Sequence, residues 1–254
     1  MHDTVIRGGT IVDGTGKASF TGDVALKDGK ISHVGGKAGP GKREVDANGL
    51  LVTPGWVDVH THYDGQATWD PILAPSSWQG ATTLLMGNCG VGFAPVRKRD
   101  HECLIDLMEG VEDIPGIALA EGLKWDWETF PEYMDALARL PRTIDVAAQV
   151  PHHALRVYVM GERAVRREAA TDDDIAEMAK LTEQALRSGA FGFTTSRTDQ
   201  HKTTGGDLVP GRYSEIKELS GIAAALRRTG TGTFGMVSDF EDETEEFQWL
   251  TKLS

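Results

Sequence analysis

The sequence predicts an α/β fold of the (β/α)8 TIM-barrel type, incomplete at about five strand–helix units and preceded by a small N-terminal antiparallel β unit. Three observations carry that expectation. The first fifty residues are short β-branched stretches cut by glycine; the chain after Pro54 alternates strand and helix; and each later strand candidate ends in polar or reactive side chains. The expected boundary falls between residues 1–52 and residues 53–254.

In the first part, "VIRGGTIVDGTG", "GDVALKDGKISHVGG" and "REVDANGLLVTPG" read as strands, with Asp13-Gly14, Asp28-Gly29 and Asn48-Gly49 as turns between them. The second part offers strand candidates at 56–62, 82–88, 144–150, 190–196 and 232–238. Amphipathic helices lie between several of them. In "TDDDIAEMAKLTEQALRSG", Thr171 can cap, acidic residues fill the first turn, Ile175, Met178, Leu181 and Leu186 form an apolar face, and Gly189 stops the helix. In "SEIKELSGIAAALRRTG", Ser214 is the expected cap and Gly230 the stop.

Repeated strand–helix units imply a parallel sheet, either open or closed into a barrel. The strand ends favour the barrel. His60 and His62, Asn88 and Cys89, His152 and His153, Ser196 and Arg197, and Ser238 and Asp239 all lie where barrel enzymes collect their active-site groups. An open nucleotide-binding sheet wants a phosphate loop after its first strand, and "GNCGVGFAP" has neither the spacing nor the lysine.

Composition sets the partners. Among 254 residues, 26 Lys+Arg against 38 Asp+Glu give a net charge of −12, which argues against nucleic acid and anionic membranes and leaves a small-molecule substrate. Two cysteines, Cys89 and Cys103, are too few for a secreted disulfide scaffold. With no long apolar run at the start, the expected location is the cytoplasm.

Within "WVDVHTH", a strand would point His60, His62 and Asp58 to one face. Two adjacent imidazoles in a packed core would each need a partner, at a cost of about 1–3 kcal/mol per unsatisfied group. A shared cation removes that cost, while a half-exposed edge strand in water avoids it. Zinc takes histidine nitrogen and cysteine sulfur, and Cys89 ends the strand expected beside the histidines. The opposing reading of Cys89 is a small buried apolar residue. Cys103 sits among apolar helical residues and reads as core, His201 as a solvated loop residue, and Trp125 and Trp127 chiefly as core cover. Of His152 and His153 at most one can face the centre, which makes His152 a candidate substrate contact, although a loop position suits both better.

"TPGWVDVHTHYD" resembles the opening of an amidohydrolase-superfamily enzyme, and "MGNCGVGFAPVR", "LMEGVEDIPG", "WDWETFPEYMDAL" and "GFTTSRT" resemble its N-acyl-D-amino-acid deacylase, or D-aminoacylase, branch. The resemblance implies a barrel joined to a β-sandwich built from both chain ends, residues 1–52 supplying one part. It also implies Zn2+ held by His60, His62 and Cys89, with Cys89 taking the bridging place that a modified lysine fills in many relatives. The implied reaction is hydrolysis of an N-acyl-D-amino acid to a carboxylate and a D-amino acid, on water activated by zinc. Such a substrate keeps a carboxylate, which makes Arg197 a candidate contact, against a purely structural pairing with Asp199 or Asp239. Asp58 is expected to orient the histidines.

Two departures limit the resemblance. Five units fall short of eight, so the chain is expected to be the N-terminal portion of a longer enzyme, with an open edge that favours association into homo-oligomers and with the general-base aspartate beyond residue 254. The fifth strand ends in Ser238 and Asp239 where the branch has a histidine. Rival readings are a cyclic-amide hydrolase of the hydantoinase or dihydropyrimidinase kind, and a non-catalytic fragment.

Overall fold

The computed structural model describes residues 1–253, which divide into two compact units, residues 1–56 and the residues from 57 onward. The first unit contains β1 (His2–Ile11), β2 (Phe20–Lys27), β3 (Lys30–Val34), β4 (Gly41–Asp46) and β5 (Leu51–Val52) in one sheet of order β3-β2-β1-β4, with β5 also on β1. Asp28 and Gly29 form the two-residue loop between β2 and β3, both at positive φ, +50° and +72°. That is the backbone twist a tight hairpin needs, and glycine reaches it without strain.

The expected all-antiparallel unit is corrected at the other edge, where β4 and β5 both run parallel to β1. The Asn48-Gly49 turn is therefore no hairpin. Ala47 N donates to Arg7 O and Thr10 N to Leu50 O, so the chain leaves β1 briefly and resumes pairing farther along the same edge. Asp23 anchors this sheet, its carboxylate accepting from Arg7 Nη1 at 2.8 Å and from the backbone N–H groups of Gly8 and Ala38 at 2.9 Å each. Those donors, Arg7 first, hold its pKa down at about 2.

The second unit begins within β6 (Trp56–Asp58) and continues through β7 (Ala81–Met86), β8 (Asp145–Ala148), β9 (Val150–Pro151), β10 (Gly192–Arg197) and β11 (Thr233–Ser238). β7 pairs in parallel with β8, and β10 in parallel with both β9 and β11. Only Gln149 separates β8 from β9. Gln149 N donates to Met86 O at 2.9 Å and Phe191 N to Ala148 O at 2.8 Å, so one strand changes neighbours there and joins two three-stranded ladders into a curled parallel sheet. The Gln149 side chain spans the same junction, from Asn88 Oδ1 at 2.9 Å to Thr233 Oγ1 at 3.1 Å.

The helices are α1 (His101–Glu112), α2 (Gly116–Gly122), α3 (Phe130–Arg139), α4 (His152–Met160), α5 (Glu162–Val165), α6 (Asp172–Arg187), α7 (Ile216–Thr229) and α8 (Glu243–Leu253). Thr171 caps α6 as expected, its hydroxyl and the Asp174 carboxylate forming a reciprocal capping box. Gly230 ends α7 at φ +67°, but Glu215 occupies its N-cap position, and the Ser214 hydroxyl turns instead to Glu218. Leu84, Met86, Val150 and Phe193 from the sheet pack with Leu155, Met178 and Leu219 from the helices in one continuous core. Burial of each such side chain contributes about 1.5–3 kcal/mol. No described helix is long and apolar enough to cross a membrane.

Candidate metal centre

The regular strand expected over 56–62 ends at Asp58, because the Thr61 side chain takes over the pairing. Thr61 donates both its N–H (3.0 Å) and its hydroxyl (2.9 Å) to Leu85 O, and its own carbonyl accepts from Asn88 Nδ2 at 3.2 Å. Pinned this way to β7, Thr61 leaves the residues on either side of it close together. The His60 and His62 rings lie with centroids 5.3 Å apart.

Cys89 follows β7 in a 3-10 turn over Asn88–Gly90 and itself adopts φ +54°. A non-glycine residue held in the left-handed region marks a turn fixed by its surroundings. Here Asn88 supplies the fixing: its Nδ2 bonds Thr61 O and Leu85 O, and its Oδ1 accepts from Gln149. The turn brings Cys89 Sγ to 3.2 Å from His60 Nε2. Donor atoms of His60, His62 and Cys89 all lie within 4.8 Å of one another.

Two residues that the sequence reading did not bring to this place complete it. Glu112, the last residue of α1, sets Oε2 3.3 Å from His62 Nε2. His201, expected in solvent, is half-buried on the loop after β10, with Nδ1 2.7 Å from Ser196 Oγ. Donor atoms of Cys89, Glu112 and His201 also lie within 4.8 Å of one another. Gly110 makes that meeting feasible. A Cβ there would collide with Lys202 O and the Thr203 backbone, so only a bare glycine lets α1 lie directly on the loop that carries His201.

The electrostatics are unbalanced. Burial, followed by the repulsion of His60 and His201, lowers the His62 pKa to about 4. Burial and then the Glu112 charge push the Cys89 thiol up to about 12, and burial pushes Glu112 up to about 7. Asp64, two residues beyond His62 and almost fully buried, is raised to about 8, again by burial first. His62 Nδ1 and Asp64 Oδ2 are buried without a hydrogen-bond partner. A cation reverses this logic by favouring thiolate, carboxylate and neutral imidazole at once. The donor set of nitrogen, sulfur and carboxylate oxygen is the one zinc prefers, and an orphaned His62 nitrogen fits a site built for such an ion.

Other expectations are corrected. Asp58 accepts from the His60 backbone N–H at 3.4 Å and thus fixes the main chain rather than a ring. His152 and His153 are not loop residues but form the fully buried first turn of α4. Both His152 nitrogens are engaged, Nδ1 with Thr195 Oγ1 at 2.7 Å and Nε2 with Glu218 Oε1 at 2.8 Å, which leaves none for a substrate. Arg197 donates Nε to Glu246 at 3.0 Å and Nη1 to Ser214 O at 2.8 Å, while Asp199 and Asp239, weighed as its partners, face Arg212 instead. Arg197 still borders a cavity of about 120 Å3 with Arg212, Ser238 and Asp239. Trp127 is buried with Nε1 on Phe93 O, and Trp125 stacks on His101. Cys103 packs against the main core, in agreement with its reading from the sequence.

A curled parallel sheet with histidines and a cysteine gathered at its strand ends matches a known family. The profile of the Amidohydrolase family covers residues 43–254, and the chain belongs to that family. Among its relatives, an N-acyl-D-aspartate deacylase of Alcaligenes xylosoxydans xylosoxydans is 37% identical over 194 residues, 76% of this chain and 36% of that enzyme. The structure of an N-acyl-D-glutamate deacylase from Bordetella bronchiseptica, complexed with zinc and a phosphonate mimic of the tetrahedral intermediate, superposes with a TM-score of 0.78 at 28% identity, covering 99% of this chain and 48% of that one. A D-aminoacylase, studied for the functional role of its binuclear metal centre, gives 0.79 at 28% identity over 100% of this chain and 49% of its own. The chain thus spans from about a third to about half the length of these relatives.

Proposed function

We propose that this chain carries the first half of a zinc-dependent hydrolase that cleaves the amide bond of N-acyl-D-amino acids, releasing a carboxylate and a D-amino acid. The observation that carries the reading is the convergence of His60, His62 and Cys89 donor atoms within 4.8 Å of one another. In this reading residues 53–254 are the opening units of a (β/α)8 barrel, and residues 1–52 are one part of a β-sandwich. His60, His62 and Cys89 would hold the zinc ion, whose chemistry there would be Lewis acidity towards the amide carbonyl and a lowered pKa, towards ~7, for water.

The remaining work falls to the chain. Thr61 and Asn88 hold the two histidines and the cysteine turn against β7, so that the donor atoms are arranged before any ligand arrives. Arg197 offers the substrate carboxylate only the part of its fork that Glu246 and Ser214 leave, namely Nη2. The proton-accepting carboxylate is assigned to the part of the enzyme that follows residue 254. The test is turnover of N-acetyl-D-amino acids by the longer protein, with the metal removed by chelation and then restored, alongside hydantoin and dihydropyrimidine as cyclic competitors. Activity on the linear D-substrates that vanishes in His60→Ala and returns with zinc in the wild type is expected. Preference for the cyclic amides overturns the substrate assignment.

A further inference from the structure

We propose that Thr194 is a positioning residue for the Cys89 sulfur: its buried hydroxyl closes the turn that carries the cysteine and so sets where Sγ stands. This deepens the zinc reading and rests on it, because the sulfur being placed is the proposed ligand. Along β10 the side chains alternate. Thr195 sends its hydroxyl to His152 of α4, whereas Thr194 and Ser196 turn the other way, to the cysteine turn and to His201.

Thr194 Oγ1 accepts from Gly90 N at 3.2 Å and donates to Gly87 O. A hydroxyl has one proton and two lone pairs, so it can do both at once. One side chain, 104 and 107 positions further along the chain, thereby joins the residues on either side of Asn88 and Cys89.

The turn needs this closure. Cys89 holds φ +54°, a conformation that a non-glycine residue keeps where its surroundings over-determine it. Asn88 fixes the turn to β7, and Thr194 fixes it from β10, across the strand ends. Behind it stands the His153 ring, whose Nδ1 accepts from Gly211 N at 3.1 Å. A Cβ on Gly90 would lie 3.0 Å from His153 Nε2, so the turn is packed tightly on that side as well. Gly87 and Gly90 are both buried. Removing the hydroxyl at unchanged shape therefore leaves a buried carbonyl and a buried N–H without it, and the turn can escape by moving Cys89 away from His60.

The 254-residue chain tests this with two measurements. Metal-free protein is alkylated with iodoacetamide and mapped by peptide mass spectrometry, which scores Cys89 apart from Cys103. Cobalt is then titrated and read through the thiolate-to-cobalt charge-transfer band. Circular dichroism checks the fold of each variant. Thr194→Ser restores the hydroxyl, and Thr182→Val removes another buried hydroxyl, on Met178 O within α6, as the control for general loosening. In Thr194→Val, Cys89 is expected to alkylate about tenfold faster, the opening that one lost hydrogen bond permits, and cobalt to bind about tenfold more weakly with a diminished band. Thr194→Ser and Thr182→Val should stay near the wild type in both. Thr194→Ala is read in the same way where Thr194→Val does not fold. Unchanged alkylation or cobalt affinity in Thr194→Val, no recovery in Thr194→Ser, or an equal acceleration in Thr182→Val overturns the role. No cobalt bound by the wild type overturns the zinc reading instead, and the alkylation contrast then judges Thr194 by itself.

Discussion

Two histidine–carboxylate clusters lie in the second unit, one buried throughout and one partly open to solvent at His60, and they are balanced differently. Around Glu218, Arg156 donates Nε at 2.8 Å and Nη2 at 3.3 Å, His152 contributes Nε2, and Ser214 adds its hydroxyl. Burial alone would raise the Glu218 pKa, but His152 and Arg156 outweigh it and hold the carboxyl below its ordinary range. Around Glu112 there is a similar carboxylate and similar imidazoles, but among the described residues no arginine or lysine bonds it, and its pKa rises to about 7. The first cluster contains its own cation. The second, built from His60, His62, Cys89, Glu112 and His201, is arranged as though the cation comes from outside.

The largest effect that tests this contrast is the loss of the internal cation. Arg156→Met leaves Glu218 buried without its main charge partner and is expected to cost about 3–5 kcal/mol in urea unfolding. In metal-free protein, Cys89→Ala removes a group that has no charge partner to lose and should cost only about 1 kcal/mol. Equal losses would erase the distinction. Next in size is the response to zinc. At a hundredfold excess over Kd the metal should stabilise the wild type by about 2.7 kcal/mol and Cys89→Ala far less, measured by thermal denaturation with and without chelator.

Gly110→Ala sharpens the comparison more finely. Crowding against the Lys202–Thr203 backbone costs about 1–3 kcal/mol, whereas alanine in a helix returns about 1 kcal/mol. A net loss of about 1 kcal/mol, with Glu112 and His201 separated in a crystal structure of the variant, is the expected outcome. Unchanged stability and an unchanged Glu112–His201 distance would show that the close approach is not needed.

The smallest effect belongs to the first unit, where Asp23, like Glu218, is served by an arginine within the chain. Its pKa falls from the ordinary 3.8 to about 2 in the folded protein, so the unfolded chain takes up the proton first as the medium is acidified. The stabilisation is complete above pH ~4 and is lost as pH falls through about 2. Amide exchange at Gly8 and Ala38, whose N–H groups bind Asp23, should accelerate across that window in the wild type, and the pH dependence should flatten in Asp23→Asn.

What could be read from the sequence was what depends on neighbours in the chain. Thr171 and Gly230 mark helix ends through local hydrogen bonds, and the spacing of His60 and His62 puts them together whether or not the segment stays a regular strand. Cys89 follows its strand closely enough for position alone to suggest its direction. Glu112 and His201 were out of reach because their meeting depends on a backbone contact between residues about ninety positions apart. The signal that existed was Gly110, a helix-weakening residue in the last turns of an otherwise good helix former. Arg197 illustrates the same limit. An acidic partner was anticipated, but Glu246 rather than Asp199 or Asp239 reaches it, since α8 returns over β10 and Arg212 captures the other two.

The Gln149 bridge also has a direction. Thr233 gives its hydroxyl proton to Gln149, Gln149 gives an amide proton to Asn88, and Asn88 gives its own to the carbonyl of Thr61, the residue between His60 and His62. Every dipole in this line points the same way, from the last strand towards the first, and such chains polarise one another. A glutamate at 149 would match the shape but reverse the middle link, setting an acceptor against Asn88 Oδ1. The amide is therefore required for its polarity as much as for its length. Through it, the backbone segment that carries both imidazoles is tied to the last strand of the sheet.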